Sequence, residues 1–343
     1  MTSTREPVAG RPLTIAEIAE RAGVSVATVS KVVNGRSDVA EQTRGLVERV
    51  IGEYGYRRQR RPARSAALLE LVVNELGGEY LTEVIAGVDR VAREHRLAMV
   101  VSELQGRLTP GRGWIEEVLA RRPTGVVAAF CSPTEAQVEQ LRTRGIPLIL
   151  VDSVGEPSGP SPGVGATAWN GGLVATRHLL ELGHRRIGVI TGPTGLLCSR
   201  ARLDGYRVAL DGAGVPADPD LIRGGDFSVE AGRAYTRELL ALPDPPTAVF
   251  TCSDNGAIGA YRAADEAGLR VPRDLSVVGF NDIPAAAWLT PSLTTVRQPL
   301  AEMAAAATTM AVTLARGDTL RYSHAILATE LVVRDSTAPP PSR

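Results

Sequence analysis

The stretch Thr14-Ile15-Ala16-Glu17-Ile18-Ala19-Glu20-Arg21-Ala22-Gly23-Val24-Ser25-Val26-Ala27-Thr28-Val29-Ser30-Lys31-Val32-Val33-Asn34-Gly35 reads as two short helices joined by a glycine turn. Thr14 and Glu17 have the spacing of a capping box, in which the hydroxyl accepts from the amide of Glu17 and the carboxylate reaches back. Ile15, Ile18 and Ala19 share one face of the first helix. Gly23 is free to adopt the positive φ that a tight turn needs. Ser25 is a good N-cap for the second helix. There Val29 and Val33 point to a core, while Val26, Ala27, Ser30 and Lys31 face outward. A third helix over 41–53 would close that core with Leu46, Val47 and Val50. Two helices with a glycine turn of this length form a helix-turn-helix, although spacing alone fits an ordinary helical bundle equally well.

The rest of the chain has another texture. Residues 1–12 are polar and read as disordered. Residues 57–64, Arg-Arg-Gln-Arg-Arg-Pro-Ala-Arg, read as an Arg-rich linker that runs on to residue 67. From residue 68 apolar strand-length runs alternate with helical spacing, in two halves that divide near residue 168. Continuous apolar strands between helices imply parallel sheets covered on both faces. Residues 154–165 read as a Gly-, Pro- and Ser-rich loop. The expected architecture is an N-terminal all-α helix-turn-helix domain (13–56) and a two-lobed α/β core (68–335) with parallel sheets. Lobe 1 is assigned 68–168 and 298–323, lobe 2 is assigned 169–297 and 324–335, and 336–343 is expected to be a disordered tail.

The formal net charge of zero hides an asymmetry. Residues 1–65 carry 12 basic and 7 acidic side chains, a net +5, while the remainder carries 26 and 31, a net −5. A basic head on an acidic body suggests that only the head meets a polyanion. Lys31 is the single lysine of the chain. The three cysteines, Cys131, Cys198 and Cys252, have neither disulfide-framework nor metal spacing and are expected to be reduced thiols. No signal peptide is read at residues 1–12 and no apolar run reaches membrane-spanning length, so a cytoplasmic location is expected. No metal and no cofactor are expected.

The quoted stretch, followed by Val39, Thr43-Arg44 and Tyr54-Gly55-Tyr56, closely resembles the lactose-repressor (LacI/GalR) family. The resemblance implies that Val26 and Ala27 face base edges in the major groove, with Lys31 one turn on as a third reader. It implies phosphate contacts for Ser25, Thr28, Ser30, Asn34 and Thr43, and a place for Tyr56 in the DNA-binding set. Phosphate contacts position without specifying. Val26 and Ala27 can touch only apolar groups such as the thymine methyl, so discrimination falls on Lys31 and on DNA shape. The chain departs from the family in two places. Ala40 stands where a Ser caps the third helix, a loss of about 1 kcal/mol. Arg58-Gln59 replaces the family's Pro-Asn, and Ala66 replaces the leucine that wedges into the minor groove. The cluster around Arg60 and Arg61 is read either as its replacement, by phosphate or minor-groove contact, or as a flexible basic linker.

The resemblance continues to about residue 335 through His178-Leu-Leu-Glu-Leu-Gly-His184, Arg202-Leu-Asp-Gly-Tyr206, Ser253-Asp254, the run 271–282 ending Phe280-Asn281-Asp282, and the run 291–298 ending at Gln298. It implies a periplasmic-binding-protein-like (type I) core with three crossovers between its lobes and a small-molecule effector in the cleft, of the mono- or oligosaccharide class. The implied function is a homodimeric transcriptional regulator, a repressor of carbohydrate-utilisation genes that binds pseudo-palindromic operator DNA. The effector set is Asn74, Tyr80, Trp169, Arg202, Asp254, Asn281, Asp282 and Gln298. Asn74, Asp254, Asn281 and Asp282 follow strands, where ligands of open α/β sheets sit. Carboxylates, amides and Arg202 suit vicinal hydroxyls, and Tyr80 or Trp169 could stack on a sugar face. Asp254 and Asp282 fit helix caps as well, and Trp169 fits lobe packing. Asn281 replaces the family's usual Asp, which removes a charge from the cleft. His178 and His184 read as structural.

An enzyme finds little support. Gly163-Val-Gly-Ala-Thr-Ala168 fits a loose dinucleotide fingerprint, yet it follows a Pro-rich loop instead of a strand. No P-loop, nucleophile elbow or zinc-protease motif is present.

Overall fold

The computed structural model describes residues 13–33, 39–54, 66–77, 79–152 and 161–341. The chain divides into two compact units, 1–64 and 65–343. The expectations for residues 1–12, the linker 57–65, Asn34, Tyr56, Arg60 and Arg61 lie outside the described residues.

The first unit contains α1 (Ile15–Ala22), α2 (Val26–Val33) and α3 (Glu41–Tyr54). Both bonds of the capping box are formed, with Thr14 N donating to Glu17 Oε2 at 2.6 Å and Glu17 N to Thr14 Oγ1 at 3.4 Å. Gly23 ends α1 at φ +61°, a conformation in which a side chain would be strained. Ile18, Val29 and Val47 are fully buried and bring the three helices together. Val32 is buried more deeply than Val33. Leu46, expected in this core, is 38% exposed, whereas Val50 packs against the core as expected and is joined by Ile51.

The second unit holds two six-stranded sheets. Lobe 1 begins with β1 (Leu68–Val73), α4 (Glu79–Glu94), β2 (Ala98–Glu103), α5 (Arg112–Arg121) and β3 (Gly125–Ala129). It continues with α6 (Glu135–Thr143), β4 (Leu148–Val151) and β5 (Gly163–Ala166). Residues 163–166, expected as the end of a loop, are therefore a strand: Gly163 and Val164 pair with Leu150 and Val151 of β4, and all four residues pair with 324–327. The chain then crosses to lobe 2 with α7 (Ala168–Glu181), β6 (Ile187–Thr191), α8 (Leu197–Gly212), β7 (Ile222–Gly224) and α9 (Val229–Leu240). There follow β8 (Ala248–Thr251), α10 (Asp254–Glu266), β9 (Ser276–Asn281), α11 (Pro284–Trp288) and β10 (Thr294–Arg297). It returns to lobe 1 with α12 (Leu300–Ala315) and β11 (His324–Leu327), and ends in lobe 2 with β12 (Glu330–Val332).

The sheet orders are β11-β5-β4-β3-β1-β2 and β12-β10-β9-β8-β6-β7. Among the described strands only the β10–β12 pair is antiparallel. β3 and β4 are buried along their whole length, as expected of strands with helices on both faces. The chain passes between the sheets three times, after Ala166, after Arg297 and after Leu327.

Two boundaries differ from expectation. β11 pairs in parallel with β5, so 324–327 belongs to lobe 1, and the last crossover lies at Ala328-Thr329. Residues 336–341 are no loose tail. Ser336 is fully buried; its Oγ accepts from Thr294 N at 2.8 Å and donates to the Val277 carbonyl at 2.6 Å. His184 and Ser276 bond the Ala338 carbonyl, and His178 bonds Thr337. The two histidines thus clamp the C-terminal segment onto the closed end of lobe 2. Burial of both rings lowers their pKa and favours the neutral form.

Ser336→Ala leaves the buried Thr294 amide without an acceptor and should destabilise the second unit by about 1–3 kcal/mol. Urea unfolding of the full chain, set against Ser323→Ala at an exposed site, measures it.

Candidate DNA interface and effector cleft

In the head, Val26, Ala27 and Lys31 lie exposed along one side of α2, and Ser30, part-buried, lies between them. Ser25 starts this helix by accepting from Thr28 N at 3.1 Å, and its hydroxyl meets that of Thr28 at 2.8 Å. A small polar N-cap leaves the helix start uncrowded, as close approach to a phosphate requires. Thr43 is part-buried in the first turn of α3. The guanidinium of Arg21 lies 4.5 Å from the centre of the Tyr54 ring and ties α1 to the end of α3.

In the second unit, the effector candidates fall into three groups. The first is a polar bridge. Arg202, on α8, is only 3% exposed. It donates to the Cys252 carbonyl at 2.6 Å and to Gln298 Oε1 at 2.9 Å, with its plane 3.7 Å from the Phe280 ring centre. Asn281 donates to the same Gln298 oxygen at 3.1 Å. Gln298 Nε2 in turn donates to Asp152 Oδ2. Asp152 follows β4 in lobe 1, Arg202 and Asn281 belong to lobe 2, and Gln298 sits on the second crossover. Burial pushes the Asp152 carboxyl above the ordinary carboxylate range, and the Arg202 charge and the Gln298 bond oppose that shift. Asp152 was not among the expected residues. It is the first polar residue after an apolar strand, the signal that singled out Asn74 and Asn281.

The second group lines hollows. A cavity of about 630 Å³ lies between β4, β5 and β11 of lobe 1 and the first turns of α7 and α8. Its wall includes Leu150, Asp152, Trp169, Leu197, Cys198 and Ile326. Trp169 is 43% exposed and offers a flat apolar surface beside the Asp152 carboxylate. Tyr80 stands apart from this cavity, edge-on to Phe130 with ring centres 5.2 Å apart. Burial, then the charge of Glu75, raises the Tyr80 phenol to about 12, so it remains a neutral hydroxyl. Two polar atoms near the strand ends are buried without a hydrogen-bond partner: Asn74 Oδ1, just past β1, and Arg202 Nε. Buried polar atoms are normally satisfied, so these two are open to a ligand.

The third group corrects the sequence reading. Asp254 is 1% exposed, and its oxygens already accept from Ile283 N at 2.8 Å and Thr295 Oγ1 at 2.5 Å. It pins the β9–α11 turn to β10. Nor does it cap α10, because Ser253 does so by accepting from Gly256 N. Asp282 is likewise committed, to Arg297 at 2.8 Å and Arg334 at 2.6 Å. Both carboxylates are thus engaged by partners within lobe 2. The lobes meet again at the rim, where Glu79 Oε2 accepts from Ala285 N at 2.8 Å.

Comparison with known proteins places both units. Residues 14–59 match the family of bacterial regulatory proteins, lacI family, and residues 176–337 match a periplasmic binding protein-like domain. The HTH-type transcriptional repressor CytR of Escherichia coli (strain K12) is 32% identical over 329 residues, 94% of this chain and 96% of that protein. The chain belongs to the lacI family of bacterial regulators. It is a DNA-binding transcriptional regulator and not an enzyme. The ribose operon repressor of Haemophilus influenzae is 30% identical over 94% of this chain and 98% of that protein. A transcriptional regulator CelR–cellobiose complex is 33% identical with a TM-score of 0.71, covering 95% of this chain and all of that one. The lac repressor dimer bound to operator and an anti-inducer is 28% identical with a TM-score of 0.68, covering 96% of this chain and all of that one. The lacI-family match and the periplasmic binding protein-like match fall in separate units. Among the described residues no helix is long and apolar enough to cross a membrane, and no acidic, His or Cys cluster could hold a metal.

Burial raises the Asp254 carboxyl from 3.8 to about 6. The folded state therefore holds this proton more tightly than the unfolded chain. Its contribution favours folding below about pH 4 and is lost as pH rises through about 6. Asp254→Asn can keep both bonds if Thr295 turns to accept, and should flatten that component of the stability–pH curve. Unfolding midpoints of both proteins across this range measure the difference.

Proposed function

We propose that the protein is a homodimeric cytoplasmic repressor of carbohydrate-utilisation genes, released from or tightened on its pseudo-palindromic operator by a saccharide effector. Two copies of α2 enter successive major grooves, with Val26 and Ala27 against thymine methyls and Lys31 on a base-edge acceptor. Ser25, Thr28, Ser30 and Thr43 set the register on phosphates. The saccharide lies between the lobes. Trp169 stacks on its apolar face, Arg202 Nε and Asn74 Oδ1 bind its hydroxyls, and Asp152, Asn281 and Gln298 rearrange around it. The observation that carries this reading is the buried, unmatched Arg202 Nε at the junction of both lobes. The relative bound to cellobiose supports the ligand class.

The test is binding of the full chain to its own upstream DNA across a salt series, with and without a panel of mono- and oligosaccharides. Tight, salt-sensitive binding shifted by one saccharide is expected; a response to none of the panel would remove the carbohydrate assignment. Lys31→Ala should cut discrimination between operator and random duplex by about 1–3 kcal/mol. Trp169→Ala should leave operator affinity intact and weaken the active saccharide by about tenfold, which is read from the saccharide midpoint at fixed DNA.

A further inference from the structure

The helix-to-strand turns of lobe 1 share a feature that neither the helix-turn-helix nor the cleft uses. Arg96 lies between α4 and β2, Arg122 between α5 and β3, and Arg144 between α6 and β4. Arg316 and Arg321 lie between α12 and β11. All five are exposed. Arg316 donates to His95 Nδ1 at 2.9 Å, and Arg321 lies over the Tyr322 ring. Among the described residues, none of the five has a carboxylate within ion-pair distance, whereas their neighbours Arg93, Arg121 and Arg142 are paired with Asp89, Glu70 and Glu139. Because the strands are parallel, these turns converge on one end of the sheet, opposite the cleft. Glu94 and Asp318 are the acidic residues that flank them.

Basic side chains at helix C-termini are ordinary partners of the helix dipole. Lobe 2 separates that explanation from a functional one, since it has the same strand–helix order and the same turns. There Arg186 is paired with Asp218 at 3.0 Å and Asp244 at 3.1 Å. Arg270 and Arg273 both approach Asp274, at 3.7 Å. Of the described arginines in the helix-to-strand turns of lobe 2, Arg185 alone lacks a carboxylate and donates instead to the Leu180 and His184 carbonyls, whereas lobe 1 leaves five without one. This is also the end where the chain arrives from the head: Ala66 N donates to the Arg122 carbonyl at 2.9 Å.

We propose that the arginine end of lobe 1 is a second DNA-contact surface, which grips backbone phosphates. Guanidinium groups match phosphate geometry and remain charged at any physiological pH. Their contribution is independent of sequence and adds to counterion release. The net negative charge of the rest of the body confines a polyanion to this end.

The test compares the full-length wild type with R96Q/R144Q/R321Q and R96K/R144K/R321K. The probe is a long random-sequence linear duplex, titrated over a salt series, with heat-unfolding midpoints recorded for all three proteins. The Gln variant should bind about tenfold or more weakly at physiological salt, with a log–log salt slope shallower by about 0.9 for each phosphate that is no longer neutralised. The Lys variant should keep the wild-type slope. An unchanged slope in the Gln variant overturns the proposal. So does an equal loss in the Lys variant at unchanged unfolding midpoint, since charge would then not be what matters.

Discussion

The guanidinium of Arg202 is the group on which the core's geometry turns. A buried cation is costly unless charge and hydrogen bonds surround it. Lobe 2 supplies the Phe280 face and the Cys252 carbonyl, while the neutral Asn281 amide donates to the Gln298 oxygen that Arg202 also uses. The compensating carboxylate, Asp152, comes from lobe 1 and is relayed by Gln298. Solvation of one buried charge therefore depends on the relative placement of the two lobes. A ligand that offers Arg202 Nε an acceptor, or takes Gln298 from it, binds one arrangement of the lobes better than another. Differential affinity of this kind is the whole requirement for a conformational shift. It is reciprocal: whatever the effector does to DNA affinity, DNA does to effector affinity by the same factor.

Recognition in the head follows a different logic. The exposed face of α2 offers two apolar residues and one cation. Of these three, only Lys31 has a hydrogen bond to offer a base edge, and valine and alanine can meet only apolar groups such as a thymine methyl. A head of this kind gains affinity chiefly from phosphates, which makes the distribution of arginine over the whole chain as relevant as the reading helix.

What the sequence disclosed and what it hid sort by the range of the interactions. The capping box of Thr14 and Glu17, the glycine turn and the Ser25 cap are contacts within three or four residues, and they are legible as spacing. The alternation of strands and helices in the core is legible for the same reason. The commitments of Asp254 and Asp282 were not: their partners lie at Ile283, Thr295, Arg297 and Arg334, on strands that become neighbours only in the folded sheet. Ser336 looks like any tail serine until Thr294 and Val277 close over it. The glycines of β5 carry no side-chain pattern at all, so a strand passed for a loop. β11 was placed in the wrong lobe because which sheet a crossover strand joins is a matter of topology, on which local pattern is silent.

The crossovers themselves restrict how the lobes can move. Thr167, beside the first, and Thr329, on the third, are cross-bonded: Thr329 N donates to Thr167 Oγ1 at 2.9 Å, Thr329 Oγ1 bonds the Thr167 carbonyl at 3.2 Å, and the two hydroxyls meet at 3.0 Å. Those two crossings are thereby held side by side and act as one hinge. The second crossing carries Gln298, which is tied to Asp152 on one side and Arg202 on the other. Lobe rotation about the paired threonines must stretch or relax this glutamine bridge.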